Sequence, residues 1–498
     1  MPFLCFFLLL FCFLLAGYGI LGLFQLGLGK TFTVTLSLLL GVALASLLPF
    51  LLQLMYIPIT GAAIFGSLVF VALLLNIPTL IRIRKEGVRS FLRGLSPGPF
   101  RIKPYEVPYF MVLAFIVFVS VWRCYYLPPL SRDALSGPEA IAEFAVREHT
   151  LVNSFFNVDL WSTNNQFKSP FLISLQLIYK IAGFPFGQVW LSIVFISFTI
   201  FLYQALKEKL HPLLAATLLL LFTIAPEPYA YTFMILYDYS NMVFFFLGLY
   251  FLFNRATGDR QPGGSFYFAG LLLGIATYIR SETLALTLLF IPPILLIEKR
   301  AGHSLKKSIG ASVLFLLPSM VGYYLPVQLY VQHYLPVHYD VAGLINRHPG
   351  DLSPLFRRYA GMFTQLLTGE LSIHLWGYFY YLTAILFAAE ARLLRRFNRE
   401  ARNWLYAMVV LFLGLGILGW LLPVMDLADT TKRELFKMLP LALFYLANNQ
   451  WLLRCSAYIS RWEQAGPAFR TSPASEVRTE PARTVLTKTG KTTTAPSG

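Results

Sequence analysis

Charged residues are scarce in this chain. Asp, Glu, Lys and Arg make up 13% of its 498 residues, whereas hydrophobic residues make up 57% and aromatic residues 16%. This scarcity excludes a water-soluble globular protein, because too few polar residues are present to cover the surface of such a fold. The mean hydropathy of +0.64 supports the same conclusion. The composition predicts an all-α polytopic membrane protein, since helices satisfy their own backbone hydrogen bonds in lipid.

Cysteine is also rare. The four cysteines are far apart in the sequence and none forms a Cys-x-x-Cys pair: Cys5, Cys12, Cys124 and Cys455. The sequence therefore predicts neither a disulfide framework nor a cysteine metal site. His149, in the first long polar segment, has no neighbouring residue at the spacing of a metal ligand, so a metal role is not favoured there either.

Long apolar runs fill most of the chain. A helix needs about 20 mostly apolar residues to cross a bilayer, and the sequence predicts about thirteen such spans. The first run has no basic residue ahead of it, so it is predicted to be a membrane helix and not a signal peptide. The predicted spans are approximately 1–28, 32–55, 57–80, 108–127, 187–205, 212–225, 239–253, 265–279, 282–297, 308–329, 373–390, 403–423 and 435–453.

The distribution of Lys and Arg predicts the orientation. Basic residues outnumber acidic ones by 40 to 24, and most of them fall in residues 81–107, 298–307, 391–402 and the C-terminal tail. Short cytoplasmic loops carry such an excess, so these segments are predicted to be cytoplasmic and the N-terminus to be outside. The net charge of +16 is then a topology signal, and no nucleic-acid partner is predicted.

Three parts of the chain differ in composition. Residues 1–107 contain three spans and a basic cytoplasmic loop, whereas residues 108–455 hold ten spans and nearly all of the outward-facing charge. Residues 456–498 are rich in Thr, Pro and Ser and are predicted to be a disordered cytoplasmic tail. No internal repeat is found, which disfavours the repeat-built secondary transporters.

The long outer loop 128–186 carries the first candidate site residues. Asp133 lies at the outer end of the fourth span and precedes a predicted interfacial helix, with Ser136 as its cap and Glu139 completing a capping box. Lys168 begins a Lys-Ser-Pro segment whose apolar continuation predicts a second interfacial helix. The simpler alternatives are a solvated loop carboxylate for Asp133 and interfacial snorkelling for Lys168.

Further charged residues stand at predicted helix mouths. Asp238 begins the seventh span, and Arg280 and Glu282 interrupt some thirty otherwise apolar residues. Ionisable residues at membrane depth are costly and usually functional, although a local Arg280–Glu282 ion pair is the alternative. Lys432 and Arg433, followed by Lys437, begin the last span on the outer side. Cations on that side suggest an anionic ligand.

Arg357 and Arg358, in the second long outer loop (residues 330–372), are less specific. A solvated helix face is the favoured interpretation for both.

The order of these features resembles the GT-C superfamily of membrane glycosyltransferases. An acid after an outward-going span, an interfacial helix, a Lys-x-Pro segment, an Asp at a helix mouth, a Gly-Leu-x-x-Gly-x-x-x-x-x-Arg turn and a cationic helix entry follow one another over about residues 108–450. The chain is most similar to protein O-mannosyltransferases and lipid A aminoarabinose transferases. The resemblance implies transfer of a sugar from a polyprenyl-phosphate donor to a glycan, lipid or protein acceptor outside the membrane.

The resemblance also implies roles for individual residues. Asp133 matches the family's first-loop carboxylate, the presumed general base, and Asp238 matches a second acid. Lys168 and Arg280 match cations of the family's site. The chain departs from the pattern at Ala134, where the family has Glu, and at Ser169, where it has Pro. No cofactor is certain, and the resemblance is compatible with a divalent metal whose ligands are unknown.

The chemistry of such a site fits these residue types. Asp133 would accept the proton of the acceptor hydroxyl, and a single displacement would invert the anomeric centre. A lipid phosphate leaves, so cations must bind it and stabilise its charge. The residues predicted to bind the lipid phosphate or substrate are Lys168, Arg280, Glu282, Lys432 and Arg433.

Two other functions stay open on sequence grounds. A polymerase or ligase of lipid-linked glycans would use an oligosaccharide lipid diphosphate as its donor. A transporter or flippase would need charges at mid-bilayer depth, whereas here they cluster at the outer mouths of the helices. The expected location is a multi-pass protein of the bacterial inner (plasma) membrane, with the endoplasmic reticulum as the alternative.

Overall fold

The structure is a computed structural model that describes residues 2–24, 26–79, 81, 102–157, 168–255, 262–300, 302–335, 350–394, 397–422 and 425–464. Throughout these ranges the ordered elements are helices, and no strand is formed. The predicted all-α fold class is therefore confirmed. Most of the predicted basic loop 81–107 and the end of the predicted tail lie outside the described residues.

Six helices of the described chain are long and apolar enough to cross a membrane, judged by length and composition. They are Pro2–Phe24, Lys30–Leu54, Pro104–Tyr126, Trp190–Lys207, Leu305–Tyr334 and Arg399–Leu421. Shorter apolar helices accompany them at Gly61–Leu75, Phe171–Ile181, Pro212–Thr223 and Phe266–Ile279. The polytopic class is confirmed, whereas several of the thirteen predicted spans are shorter than predicted or broken.

The helices are numbered here in chain order. The N-terminal half contains α1 (Pro2–Phe24), α2 (Lys30–Leu54), α3 (Gly61–Leu75), α4 (Val107–Tyr126), α5 (Arg132–Leu135), α6 (Pro138–Glu148), α7 (Phe171–Ile181), α8 (Trp190–Lys207), α9 (Pro212–Thr223), α10 (Pro226–Ala230) and α11 (Tyr237–Tyr250). The C-terminal half contains α12 (Pro262–Ile279), α13 (Thr283–Leu288), α14 (Ile291–Arg300), α15 (Leu305–Tyr323), α16 (Ser353–Phe363), α17 (Glu370–Trp376), α18 (Phe379–Ala389), α19 (Arg399–Leu421), α20 (Lys432–Glu434), α21 (Met438–Ala447) and α22 (Gln450–Gln464).

Two predicted spans are broken by residues that cannot continue a helix. The predicted span 282–297 divides into α13 and α14 between Leu288 and Ile291, because Pro292 and Pro293 have no N–H to donate to the carbonyl four residues earlier and their rings clash with it. The predicted span 373–390 divides into α17 and α18 at Gly377, whose φ of 59° lies in the left-handed region that glycine adopts most readily.

Glycines bring α12 and α15 into close contact. A Cβ atom at Gly270 would lie 2.2 Å from the carbonyl oxygen of Phe315, and one at Gly322 would lie 2.1 Å from that of Gly274. Small residues allow membrane helices to approach until their backbones touch, which increases the van der Waals contact that holds such helices together. The end of α12, where Arg280 follows, is thereby held firmly against α15.

The first outer loop folds onto the bundle through α6 and α7. The buried face of α6 carries Ile141, Ala142 and Ala145 and packs on α7, whereas Arg147 and Glu143 pair outward at 3.0 Å. Helix α7 is buried on nearly all sides between α2, α6 and α8, which differs from the predicted interfacial helix. Its apolar residues face other helices because α2, one of the N-terminal helices, passes beside it.

The predicted cap of α6 is wrong. The residue before the helix is Gly137, and no side chain caps it. The hydroxyl of Ser136 instead donates to the carbonyl oxygen of Arg132 at 2.8 Å, because the preceding short helix α5 ends there. Ser131 is the residue that caps a helix here: its Oγ accepts from the backbone N–H of Ala134 at 3.2 Å.

One end of the bundle carries ion pairs between loops that were predicted to be cytoplasmic. Glu463 of α22 lies 2.7 Å from Lys103 and 3.0 Å from His211, and Lys209 lies 2.5 Å from Glu400. Helix α22 continues to Gln464, past residue 456, where the disordered tail was predicted to begin. The contacts of Glu463 explain this extension, because they anchor the last turn of the helix.

Candidate functional site

The site begins at α5, at the end of the bundle opposite Glu463. The hydroxyl cap of Ser131 places Asp133 in the first turn of α5, where its carboxylate is near the positive end of the helix. Its Oδ2 lies 2.7 Å from Nη1 of Arg433, a residue of α20. The two residues are 300 positions apart in the sequence, so the tertiary fold brings them together.

Asp238 connects Arg433 with Arg280. It lies in the first turn of α11, and its side chain is 3% exposed. Its Oδ1 accepts a hydrogen bond from Nη1 of Arg280, and its Oδ2 lies 4.0 Å from Nη1 of Arg433. A buried carboxylate is tolerated when cations and hydrogen bonds surround it, and here two guanidinium groups do so.

Arg280 contacts three carboxylates. Besides Asp238, its Nε lies 2.5 Å from Oε1 of Glu282, and its Nη1 lies 2.7 Å from Oε1 of Glu434. Glu434 is fully buried and also pairs with Lys437. The local Arg280–Glu282 pair considered above is therefore present, but it is one part of a larger network.

The turn that carries Arg280 is held by Asn241 of α11. The Asn241 Nδ2 donates to the carbonyl oxygen of Ala276 at 2.6 Å and to Oγ1 of Thr283 at 3.1 Å. These two residues belong to the end of α12 and the start of α13. The amide therefore ties the helices together on both sides of the turn, and the guanidinium of Arg280 is fixed beside Asp238.

Lys168 and Lys432 lie at the edge of the network. The Lys168 Nζ is 5.8 Å from the centre of the Tyr237 ring, and the Tyr237 hydroxyl donates to the carbonyl oxygen of Ser169 at 2.8 Å. Burial lowers the pKa of Lys168, and the charge of Asp133 opposes this effect. Lys432 pairs with Glu227 of α10 at 3.1 Å.

The side chains of the network differ in how far they are exposed. The side chains of Asp133 and Lys432 are 28% and 22% exposed, and that of Arg433 is 16% exposed. Asp238 and Glu434 are 3% and 0% exposed. The buried acids therefore hold the cations from inside, while Asp133 is the acid of this network that a molecule approaching from outside can reach most easily.

The donor set does not fit a divalent metal. Within the described ranges, no three His, Cys, Asp or Glu side chains converge in a way that could hold an ion. Asp133 pairs with Arg433, and Asp238, Glu282 and Glu434 all contact Arg280. A metal ion would have to displace these guanidinium groups from the carboxylates.

The structure brings the predicted site residues together at this one end of the bundle: Asp133, Lys168, Asp238, Arg280, Glu282, Lys432 and Arg433. Their catalytic and binding roles stay predictions. The prediction missed Glu434 and Glu227 as site residues. A sequence signal for Glu434 was present, because this acid stands between Arg433 and Lys437 at the start of a predicted span.

Residues 168–324 match the model of a family described as dolichyl-phosphate-mannose-protein mannosyltransferase. The matched region includes Lys168, Asp238, Arg280 and Glu282, whereas Asp133 and Arg433 lie outside it. No curated protein and no solved structure matches the chain. The family match confirms the resemblance to GT-C glycosyltransferases that the sequence suggested.

Proposed function

Because the chain is a membrane glycosyltransferase of the GT-C type, we propose that it moves a sugar from a polyprenyl-phosphate-linked donor to an acceptor outside the membrane. The observation that carries this proposal is the ion network that runs from Asp133 through Arg433 and Asp238 to Arg280. It combines a partly exposed carboxylate with several cations at one end of the bundle. Such a set of groups suits an acceptor hydroxyl on one side and a lipid phosphate on the other.

Asp133 is the proposed general base. Its carboxylate accepts the proton of the acceptor hydroxyl while the hydroxyl oxygen attacks the anomeric carbon of the donor sugar. The side chain of Asp133 is 28% exposed, whereas that of Asp238 is 3% exposed, so the acceptor reaches Asp133 more easily. Asp238 then contributes by holding Arg280 and Arg433 in place.

The proposed leaving group is the lipid phosphate. The bond between the anomeric carbon and the phosphate oxygen breaks, and the phosphate leaves with the electron pair. Cations near that oxygen stabilise its growing charge. The candidate cations are Arg433, Lys432, Lys168 and Arg280, and the side chains of Arg433 and Arg280 are 16% and 17% exposed. One direct displacement inverts the anomeric centre, as the resemblance implies.

Binding of the donor would also weaken the ion pair between the proposed base, Asp133, and Arg433. Arg433 contacts Asp133 in the structure, with 2.7 Å between Nη1 and Oδ2. A phosphate group offers the planar guanidinium an alternative anionic partner. When the phosphate takes the place of the carboxylate, the interaction of Asp133 with Arg433 weakens and Asp133 becomes more basic. The base would thus be activated at the moment when the donor is bound beside it.

The chemical identity of the sugar donor distinguishes the proposed function from a polymerase or ligase of lipid-linked glycans. We expect the purified protein to release sugar from a polyprenyl-phosphate monosaccharide and not from an oligosaccharide carried on a polyprenyl diphosphate. Transfer from the diphosphate donor alone would instead identify a polymerase or ligase of lipid-linked glycans. We propose the bacterial plasma membrane as the location, with the endoplasmic reticulum membrane as the alternative.

Asp133→Asn tests the base. The amide cannot take up the proton, so turnover should fall by about 10²-fold to 10⁴-fold while polyprenyl phosphate still binds. Asp351→Asn is the matched control, because Asp351 is an exposed acid of the second outer loop that accepts from the backbone of Ser353. It should keep full turnover. An active Asp133→Asn enzyme would contradict the assignment of the base.

A further inference from the structure

Two adjacent arginines of α16 have different environments. Arg357 is exposed and makes one long contact, 3.4 Å, to the hydroxyl of Ser353 four residues earlier. Arg358 points inward and is partly buried. Its Nη2 donates to the carbonyl oxygen of Met425 and to Oγ1 of Thr431. The solvated-face interpretation therefore applies to Arg357 but is wrong for Arg358.

Arg358 contacts both ends of one segment. Residues 425–431 form a short turn whose ends are Met425 and Thr431, and we refer to it as the 425–431 turn. Within it the backbone N–H of Thr431 donates to the carbonyl oxygen of Asp426 at 2.9 Å, and that of Thr430 donates to Oδ1 of Asp426 at 3.0 Å. A single guanidinium thus bridges the beginning and the end of the turn.

Other residues of α16 and of the chain just after it support the same turn. The Gln365 Nε2 donates to the carbonyl oxygen of Leu427 at 2.9 Å. Leu427 packs so closely on Gly361 that a Cβ atom there would lie 2.2 Å from its Cδ2. The 425–431 turn is therefore held by α16 along its length, and Arg358 provides the two contacts at its ends.

Helix α19 fixes the position of Arg358 from the other side. A Cβ atom at Gly419 would lie 1.9 Å from Nη2 of Arg358, so the guanidinium lies directly on the backbone of α19. The neighbouring Tyr359 donates through its hydroxyl to the carbonyl oxygen of Leu413 at 2.8 Å. The Arg358 side chain therefore has little freedom to move away from the turn.

The 425–431 turn leads directly into the proposed donor site. Thr431 is buried, and the next two residues are Lys432 and Arg433. In the proposed reaction Arg433 exchanges a carboxylate for the lipid phosphate, so its side-chain partners change. The backbone position of Arg433 must then be fixed by contacts that stay the same during the reaction. The contacts between Arg358 and the preceding 425–431 turn are of this kind.

We propose that Arg358 is a positioning residue for binding of the lipid phosphate. By clamping the 425–431 turn, it holds Lys432 and Arg433 where they face the phosphate. This inference rests on the proposed function, because it assumes that the two cations bind a lipid phosphate. The contacts of Arg358 described above go to Met425 and Thr431, so it acts through the turn.

The test compares Arg358→Gln with Arg357→Gln, its neighbour on the same helix, in the full-length protein in lipid nanodiscs. Binding of a polyprenyl phosphate should weaken about 10-fold in Arg358→Gln, the size expected when hydrogen bonds that order a binding segment are lost. It should stay unchanged in Arg357→Gln. The KM for the donor should rise more than kcat falls, because the chemistry at Asp133 is left intact.

Amide hydrogen exchange provides a readout that does not need the substrate. The N–H groups of Thr430 and Thr431, which are hydrogen bonded within the turn, should exchange faster in Arg358→Gln and at the wild-type rate in Arg357→Gln. If Arg358→Gln does not fold, Thr431→Val can be used in its place, because it removes one of the two acceptors of Arg358. Thr430→Val is then the control, and the same measurements are made.

The outcomes separate the two proposals. Wild-type protein that does not bind polyprenyl phosphate would overturn the proposed function, and the exchange rates would still decide whether Arg358 orders the turn. Wild-type protein that binds the phosphate, with Arg358→Gln binding equally well, would overturn the role of Arg358. Weaker binding and faster exchange in Arg358→Gln alone would support it.

Discussion

Arg280 balances the charge of the buried part of the site. It contacts Asp238, Glu282 and Glu434, and the second and third of these lie 2.5 and 2.7 Å from its guanidinium nitrogens. Such a residue does more than neutralise one neighbour. Removing it leaves carboxylates in a place with little water, and removal of one partner of a buried ion pair costs much more than the pair itself contributes.

We expect Arg280→Gln to destabilise the protein by about 3–5 kcal/mol, the usual cost of removing one partner of a buried ion pair. The double variant Arg280→Gln/Glu282→Gln should not restore stability, because the contacts of Arg280 with Asp238 and Glu434 are still missing. Thermal unfolding in detergent measures both. Arg147→Gln is the control, since its exposed pair with Glu143 should contribute less than about 1 kcal/mol. Full recovery in the double variant would show that the Arg280–Glu282 pair acts alone.

At the level of elements, the charged residues of the site stand at or beside helix ends. Asp133 and Asp238 lie in first turns, Arg280 follows the last residue of α12, and Arg433 belongs to a short helix between two longer segments. Helix interiors in a membrane protein are apolar because the lipid is apolar, so charges collect where helices end. The packing of helix ends therefore decides the geometry of the site.

The contact between α12 and α15 can be tested with two glycines of α15. Gly322→Ala should lower the free energy of unfolding by about 1–3 kcal/mol, because its Cβ would lie 2.1 Å from the carbonyl oxygen of Gly274 and force the helices apart. Gly310→Ala, in the same helix, meets no atom within 4 Å and should be neutral or slightly stabilising. Thermal unfolding of both variants checks this. Equal effects would mean that the close approach does not contribute to stability.

At the level of the whole molecule, charge is divided between two ends. The Lys103–Glu463 and Lys209–Glu400 pairs join segments at one end, and the Asp133–Arg433 network lies at the other. The loops at the first end carry most of the basic excess and were predicted to be cytoplasmic. If that orientation is right, the network opens to the outside, which the proposed function requires.

Cysteine labelling tests this orientation. In a variant without native cysteines, Ser353→Cys should react with a membrane-impermeant maleimide added from outside, and Ser304→Cys should react only after the membrane is permeabilised. Both serines are exposed and precede or begin helices, so their accessibility is comparable. The opposite labelling pattern would reverse the topology and place the proposed site on the cytoplasmic side.

Much of the candidate site could be predicted from the sequence because ionisable residues are conspicuous in apolar surroundings. Asp238, Arg280 and Glu282 interrupt or border long apolar runs, and Lys432 and Arg433 lie where the positive-inside rule disfavours them. Arg358 could not be recognised in this way. It lies in a polar loop beside a second arginine, and nothing in the sequence distinguishes the two.

The sequence by itself determined the all-α membrane class, the predicted sidedness of the loops and the residue types that gather at the site, because the cost of placing charge in lipid acts on each residue separately. Only the tertiary structure decided the partners. The Asp133–Arg433 contact joins residues 300 positions apart, and Arg280 has Glu434 as well as Glu282 beside it. Which charges meet depends on how helix ends pack, and the glycine contacts and broken helices that set this packing act between distant segments of the chain.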